Sequence, residues 1–332
     1  MKRLGGIGTR VCLCAGLLAG LMLADPPQAE VSNGTIRARL YLPDPESGYY
    51  RATRFDWSGV ISSLEYKGHS YFGQWFEKYD PKIHDAIMGP VEEFTTNGAG
   101  LGYDEAKAGG TFLRIGVGAV RKPAQAPSSR FFTYDIVDPG LWTVQRGPDW
   151  ISFTQEIPVT AGYAYVYRKT VRLTKNKPEL VLEHTLKNTG QRAIETNVYD
   201  HNFFVIDEQA SGPDFAVTFP FEIKATGDLK DILEVRDKQV TYRRKLEKNE
   251  TVLTPITGFS GNISDYNISV ENRKTGAGVR VTGDQPLTRV VFWSAPKVLS
   301  PEAYVTLKIE PGQERTWRMA YEFYTLPAAA KK

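Results

Sequence analysis

From Thr35 to Tyr324 the chain alternates apolar and polar residues in one short segment after another, and no segment carries an apolar stripe of period 3.6 over three turns. Successive side chains of a strand point to opposite faces, so this period-2 pattern fits half-buried strands and conflicts with amphipathic helices. "TIRARLYLP" (Thr35–Pro43), "WISFTQEIPV", "YAYVYRKTVRLT", "ELVLEHTLKNTG", "YVTLKIEPG" and "RTWRMAYEFY" set β-branched or aromatic residues at alternate positions. Gly, Pro, Asn or Asp stand at the ends of such runs, which is how strands are bounded. "RFFTYDIVD" and "FAVTFPFEIKA" read as strands in the same way. "NTG" (Asn188–Gly190) and "KTGAG" (Lys274–Gly278) predict hairpins, because Asn and Gly accept the positive φ that such turns need. Ten or more strands in series predict an all-β fold, a large antiparallel sandwich. A chain of 332 residues with 41% hydrophobic content can bury the core of one such domain. No repeat of 20–50 residues points to a solenoid or propeller. The Gly/Asn-rich stretch from Thr95 to Gly110 predicts a surface loop long enough to line a site.

The N-terminus has another character. Lys2, Arg3 and Arg10 precede an apolar run from Val11 to Ala24, and small and turn residues follow. This is the pattern of a secretory signal peptide over residues 1–29, with cleavage after Ala24 or Ala29, and the run is short for a membrane span. The expected organisation is a leader (1–29), a single β-sandwich domain (30–326) and a disordered tail (327–332), in a periplasmic or secreted protein with no stable membrane insertion after cleavage. A lipoprotein anchor and an uncleaved anchor are the alternatives. Cys12 and Cys14, the only cysteines, lie inside the leader, so the mature domain relies on its core rather than on disulfides. Cutting after Ala29 removes three basic residues and Asp25, so the formal charge of +3 falls to about +1. That balance gives no argument for a nucleic-acid partner.

The chemistry-bearing residues fall in three segments. "NVYDHNFFVID" (Asn197–Asp207) holds one of four histidines. On a strand Tyr199, His201 and Phe203 share one face, Asp200, Asn202 and Phe204 the other. An imidazole between two aromatics can exchange a proton near neutral pH, although an isolated strand His is more often a hydrogen-bonded core residue. "HDAIMGPVEEF" (His84–Phe94) adds His84, Asp85, Glu92 and Glu93, residue types that are commonly solvated charges. "VVFWSAPKVLSPEAYVTLKIEPGQERTW" adds Trp293 and Glu302; an indole face suits the C–H side of a sugar and equally suits a core. The histidines are 15, 100 and 17 residues apart, which is no metal-site spacing, and GxSxG, phosphate-loop and dinucleotide motifs are absent.

Taken together, these segments resemble the galactose mutarotase-like (aldose 1-epimerase) superfamily. "YDHNFF" is similar to its "NHxYF"-type segment, and "IEPGQERTWRMAYEFY" to its closing strand, with Gln313 where Glu is usual. "VVFWSAP" followed by "PEAYVTLKIEPG" looks like the segment that carries the catalytic base in the glucose-6-phosphate-epimerase-like branch. "HDA" stands where the classical members have "HGG", and the classical spacing would put the base near Trp293. The resemblance implies a β-supersandwich, with His201 as the acid that protonates the sugar ring oxygen and Glu302 as the base. It places His84 in the order of the family's substrate-binding His. Arg114, on a strand leaving the Gly-rich loop, and Trp293 join His84 as candidate substrate-binding residues; a structural role for Arg114 is the alternative. The implied activity is aldose 1-epimerase-like interconversion of sugar anomers without a cofactor or metal, on a monosaccharide or a glycan end. A non-catalytic exported glycan-binding protein is the competing reading, since polysaccharide lyases and periplasmic glucan-biosynthesis proteins share the fold. An enzyme requires His201 and Glu302 in one pocket, with their functional groups separated by the width of a pyranose ring.

Overall fold

The computed structural model describes residues 25–96, 99–125 and 128–327. The expected leader up to residue 24 and the tail from residue 328 lie outside the described residues. Among the described residues the regular structure is β-strand, with one 3₁₀ turn (Ile263–Asp265). No helix there is long and apolar enough to cross a membrane. Strands run from Gln28 to Thr325, and the first, Gln28–Ser32, pairs antiparallel with Arg37–Tyr41. A cut after Ala24 leaves that strand whole; a cut after Ala29 removes its first two residues.

The all-β architecture expected from the alternation is present as a ten-stranded and a six-stranded antiparallel sheet, with smaller four- and three-stranded sheets beside them. The six-stranded sheet runs in the order Lys224–Ala225, Val252–Thr257, Arg289–Ala295, Val298–Ile309, Ile194–His201, Val91–Thr95. One of its faces packs into the main core with the ten-stranded sheet, which contributes Tyr165, Tyr167, Leu182 and Leu186. The other face is covered by the segment Tyr49–Trp57, by Ile87 and Met88, and by Phe112 and Tyr134, which form a second apolar cluster with Phe203. Around Val91–Phe94, Val198–His201 and Val298–Val305 this sheet is therefore buried on both sides, and its register decides which residues meet on each. Tyr199 pairs with Glu93 and Asp200 with Glu92; Val291 pairs with Glu302 and Arg289 with Tyr304. Glu93, Tyr199, His201, Glu302, Tyr304 and Trp293 consequently face the second cluster, and Glu92 and Asp200 face the main core.

Charge inside the main core is neutralised by partners. Lys169 Nζ donates to Glu92 Oε2 at 2.5 Å, and His184 Nε2 lies 2.6 Å from Glu92 Oε1. The His184 ring is stacked on Trp317 at 4.8 Å. Burial acts to raise the Glu92 carboxyl, but Lys169 and His184 override it and hold it at about 2. Asp200 has no cation in contact: burial, reinforced by Glu92, pushes its carboxyl up to about 8, and Tyr321 donates a hydrogen bond to it at 2.6 Å.

Three local expectations are corrected. "KTGAG" makes its hairpin, with Gly276 at φ +85° between Asn267–Asn272 and Ala277–Gly283. "NTG" does not: the strand before it lies in the ten-stranded sheet and the strand after it, Ile194–His201, in the six-stranded one. The buried Asn188 amide explains the crossing. Its Oδ1 accepts the Gly190 N–H at 3.0 Å, and its Nδ2 donates to the Ile309 carbonyl of the other sheet at 2.8 Å. A Cβ on Gly190 would lie 2.5 Å from the Ala164 nitrogen, so the crossing passes too close for a side chain. In "RFFTYDIVD" only Ile136–Asp138 is strand, and Arg130 turns towards Glu93 instead. The Gly-rich stretch 95–110 is not confined to the surface, because Ala99, Leu101 and Tyr103 are buried and Leu101 bridges to Leu113.

Replacing Lys169 with Met leaves Glu92 buried beside His184 alone. Urea unfolding at pH 7 should show a loss of about 3–5 kcal/mol. Because the folded Glu92 carboxyl is depressed, the wild-type advantage is fully present above its unfolded pKa. The difference between the two proteins should therefore narrow as pH falls towards about 2.

Candidate active site

His201 is the last residue of its strand and is 3% exposed. The alternation that puts Tyr199 beside it is ordinary strand geometry, but Phe203 lies past the strand end. It reaches the same face through a left-handed backbone (φ 41°), a conformation that costs a bulky residue roughly 1–3 kcal/mol. The strain places the Phe203 ring flat on the imidazole, with centroids 3.7 Å apart and planes 11° apart. Phe55 meets the imidazole edge-on at 5.7 Å and Trp293 at 5.1 Å, while Tyr199 is 6.1 Å away. Burial, with Arg54 adding to it, drives the imidazole well below its ordinary pKa, so His201 is neutral at pH 7.

His201 Nε2 lies 3.3 Å from Glu302 Oε1. Asn202 ties the two strands at this level, its backbone N–H donating to Ser300 Oγ at 2.9 Å and its Nδ2 to the Pro301 carbonyl at 2.6 Å. Glu302 is 4% exposed, and burial pushes its carboxyl up to about 7 against the lowering effect of Arg54 and of the Tyr304 hydroxyl, which donates to Oε2 at 3.0 Å. The two groups thus converge, but they touch rather than stand a pyranose width apart. The ring oxygen and the anomeric hydroxyl of an aldose are both bonded to C1, so an acid and a base serving them meet at one edge of the sugar, not across it.

A carboxylate–arginine group supports the pair. Arg54 Nε donates to Glu93 Oε2 at 2.9 Å, the Tyr199 hydroxyl donates to the same oxygen at 2.5 Å, and Arg54 also pairs with Asp85. Arg130 Nη1 stands 3.6 Å from Glu93 Oε1. His84, about one-third exposed, lies at the rim: its Nδ1 is 2.9 Å from Asp85 Oδ1, and its ring packs near Phe131. Burial would raise Asp85, but His84 and Arg54 outweigh it and hold the carboxyl at about 2. His84 is tied to Asp85, which pairs with Arg54, whose charge acts on both His201 and Glu302. Arg114 stands behind this group. Its guanidinium donates to the Ala99 carbonyl at 2.6 Å and the Arg54 carbonyl at 3.2 Å, which positions Arg54. Sequence reasoning missed Arg54, Glu93 and Tyr304 as site residues. "RATRFDW" carries no motif, Glu93 read as a solvated charge, and only the two-residue spacing to Glu302 on one strand could have pointed to Tyr304.

No family model matches the chain, and no curated protein does. Solved structures do match. The GalM/aldose epimerase homologue from C. elegans aligns at a TM-score of 0.55 and 11% identity over 90% of this chain and 99% of its own. The galactose mutarotase-like protein from Lactobacillus casei ATCC 334 aligns at 0.53 and 12% over 90% and 100%. The Slr1438 protein from Synechocystis sp. PCC 6803 aligns at 0.54 and 13% over 91% and 97%. The chain has the galactose mutarotase-like fold. The likeness extends over whole chains while about one residue in eight is shared.

The placement of Glu302 predicts a carboxyl titrating near neutrality. In ¹³C NMR of glutamate-labelled protein, the resonance lost in Glu302→Gln should show a midpoint of about 7; a midpoint below 5 would mean that burial does not govern this group.

Proposed function

We propose that the protein acts on carbohydrates and that its His201–Glu302 pair interconverts sugar anomers by ring opening, in the manner of an aldose 1-epimerase. The observation that carries the reading is the 3.3 Å approach of an imidazole and a carboxyl under an aromatic wall. His201 delivers a proton to the ring oxygen and Glu302 takes the proton of the anomeric hydroxyl. The C1–O bond of the ring breaks, C1 becomes a carbonyl, rotation about C1–C2 presents its other face, and closure returns both protons. Nothing is oxidised or reduced. The pair must hold one proton at the start; with Glu302 raised and His201 lowered that proton rests on Glu302, and it crosses the 3.3 Å contact to His201 Nε2 before the two groups act in these roles. With Glu302 at about 7 and His201 well below 6.5, the one-proton state is populated below about pH 7 and lost above it. Trp293 offers an apolar face to the sugar, and His84 offers a polar contact at the rim.

Polarimetry on freshly dissolved α-D-glucose and α-D-galactose tests this. The wild type should accelerate mutarotation, and His201→Ala and Glu302→Gln should each lose about 10²–10⁴-fold. kcat/KM should fall as pH rises through about 7; a rise through that range would require an unprotonated pair and sink the mechanism. The deep burial of both residues favours one other reading, a non-catalytic glycan-binding protein. Sugar binding without mutarotation, unaffected by His201→Ala, would select it.

Export is part of the proposal. Expressed at full length in a bacterial host, the protein should be recovered outside the cytoplasm with Asp25 as its first residue, since cleavage after Ala24 keeps the Gln28–Ser32 strand intact.

A further inference from the structure

The aromatic packing around His201 continues away from the catalytic pair. Trp75 is stacked on Phe203, with centroids 5.4 Å apart and planes 15° apart, and meets Trp293 edge-on at 5.5 Å. Phe76 stands against Trp75 at 5.8 Å and Tyr79 against Phe76 at 6.5 Å. The run begins at a buried imidazole and ends at an exposed Tyr79, with Trp75 and Phe76 half-buried between them. These rings are held in place: Trp75 Nε1 donates to the Ile87 carbonyl at 3.1 Å, and the Tyr79 hydroxyl donates to the Tyr49 carbonyl at 2.6 Å.

Trp75 and Phe76 form one wall of a cleft of about 470 Å³. Asn249, Thr251 and the turn Ala295–Pro296–Lys297 line it as well. Ala295 is two residues beyond Trp293 on the same strand face, which sets the cleft roughly 7 Å along from the Trp293 ring. The charged groups on its rim are Glu77 and Lys248, paired at 3.1 Å, with Glu250 and Lys297. Two acids and two bases leave no net charge. The ring-opening reaction occupies a single sugar and uses none of these residues.

We propose that this cleft holds the further sugar units of a neutral oligosaccharide whose terminal ring lies at His201 and Glu302. The inference rests on the carbohydrate reading of that pair. A sugar ring has an apolar C–H face and a polar hydroxyl edge, and the lining supplies a surface for each, Trp75 and Phe76 for the first and Asn249, Thr251 and Lys297 for the second. A purely apolar ligand would leave those polar groups without partners, and the rim carboxylates are already paired, Glu77 with Lys248 and Glu250 with Arg244, which leaves little field to draw a charged polysaccharide.

Calorimetric titration of the leader-free chain with glucose and with β-1,4-, α-1,4- and β-1,3-linked glucose oligomers of two to five units tests the cleft. In one linkage the trisaccharide should bind about tenfold more tightly than glucose, and Phe76→Ala should bring that ratio down to about one. Lys297→Gln, at an exposed position of the cleft, should reduce the ratio by about threefold. Equal affinity for glucose and trisaccharide in every linkage, or a length dependence that survives Phe76→Ala, overturns the inference. The two proposals fail separately. Length-dependent binding without mutarotation supports the cleft and removes the epimerase reading, and mutarotation without length dependence does the reverse.

Discussion

The pairing of Val91–Thr95 with Ile194–His201 puts ionisable groups on both faces of a sheet at a place where both faces are buried. Glu92 and Asp200 point into the main core, Glu93 and His201 into the covered opposite side. No water reaches these positions to solvate charge, so each group must find a partner or change its protonation. Lys169 and His184 exist as buried residues because Glu92 does, and Arg54 stands inside the second cluster because Glu93 and Asp85 do. A slip of one residue in this pairing would exchange the two sets and leave both without counter-charges.

The same absence of water gives the candidate site its chemistry. An exposed glutamate and an exposed histidine would titrate two units apart, in the order carboxyl first. Buried together, Glu302 is raised and His201 is lowered, so the order is reversed and the pair holds one proton near neutrality. Phe203, Phe55 and Trp293 exclude solvent from the pair, and of the three only Trp293 is partly exposed. The left-handed Phe203 backbone is a local cost accepted for that contact, of the kind that concentrates where a ring must be aimed.

Much of this was legible in the chain itself. The alternation that fills the strands also predicted that Tyr199, His201 and Phe203 share a face opposed to Asp200 and Asn202, and they do. The resemblance of "YDHNFF" and "PEAYVTLKIEPG" to the mutarotase-like segments singled out His201 and Glu302, which stand about a hundred residues apart and meet at 3.3 Å. The supporting residues were not legible. Glu93 could not be told from a surface acid, because its burial is set by a covering segment distant in sequence. Arg54 lies in a stretch without periodicity, Arg130 opens a segment whose pattern reads as strand although the residue lies outside one, and Arg114 spends its guanidinium on backbone carbonyls. "NTG" looked like a hairpin because turn chemistry is local, whereas the destination of the next strand is not.

By itself the sequence determined that this chain builds strands, which side of each strand is apolar, and which few residues could exchange protons. Period-2 patterning and side-chain chemistry are properties of neighbours along the chain, and they hold before any fold is formed. Only the tertiary structure decided which faces are covered, that Asn188 carries the chain from one sheet to the other, and that an imidazole and a carboxyl share a dry contact. Those outcomes depend on residues far apart in sequence excluding the same water, and exclusion of water is what sets both the cost of a buried charge and the protonation of the pair.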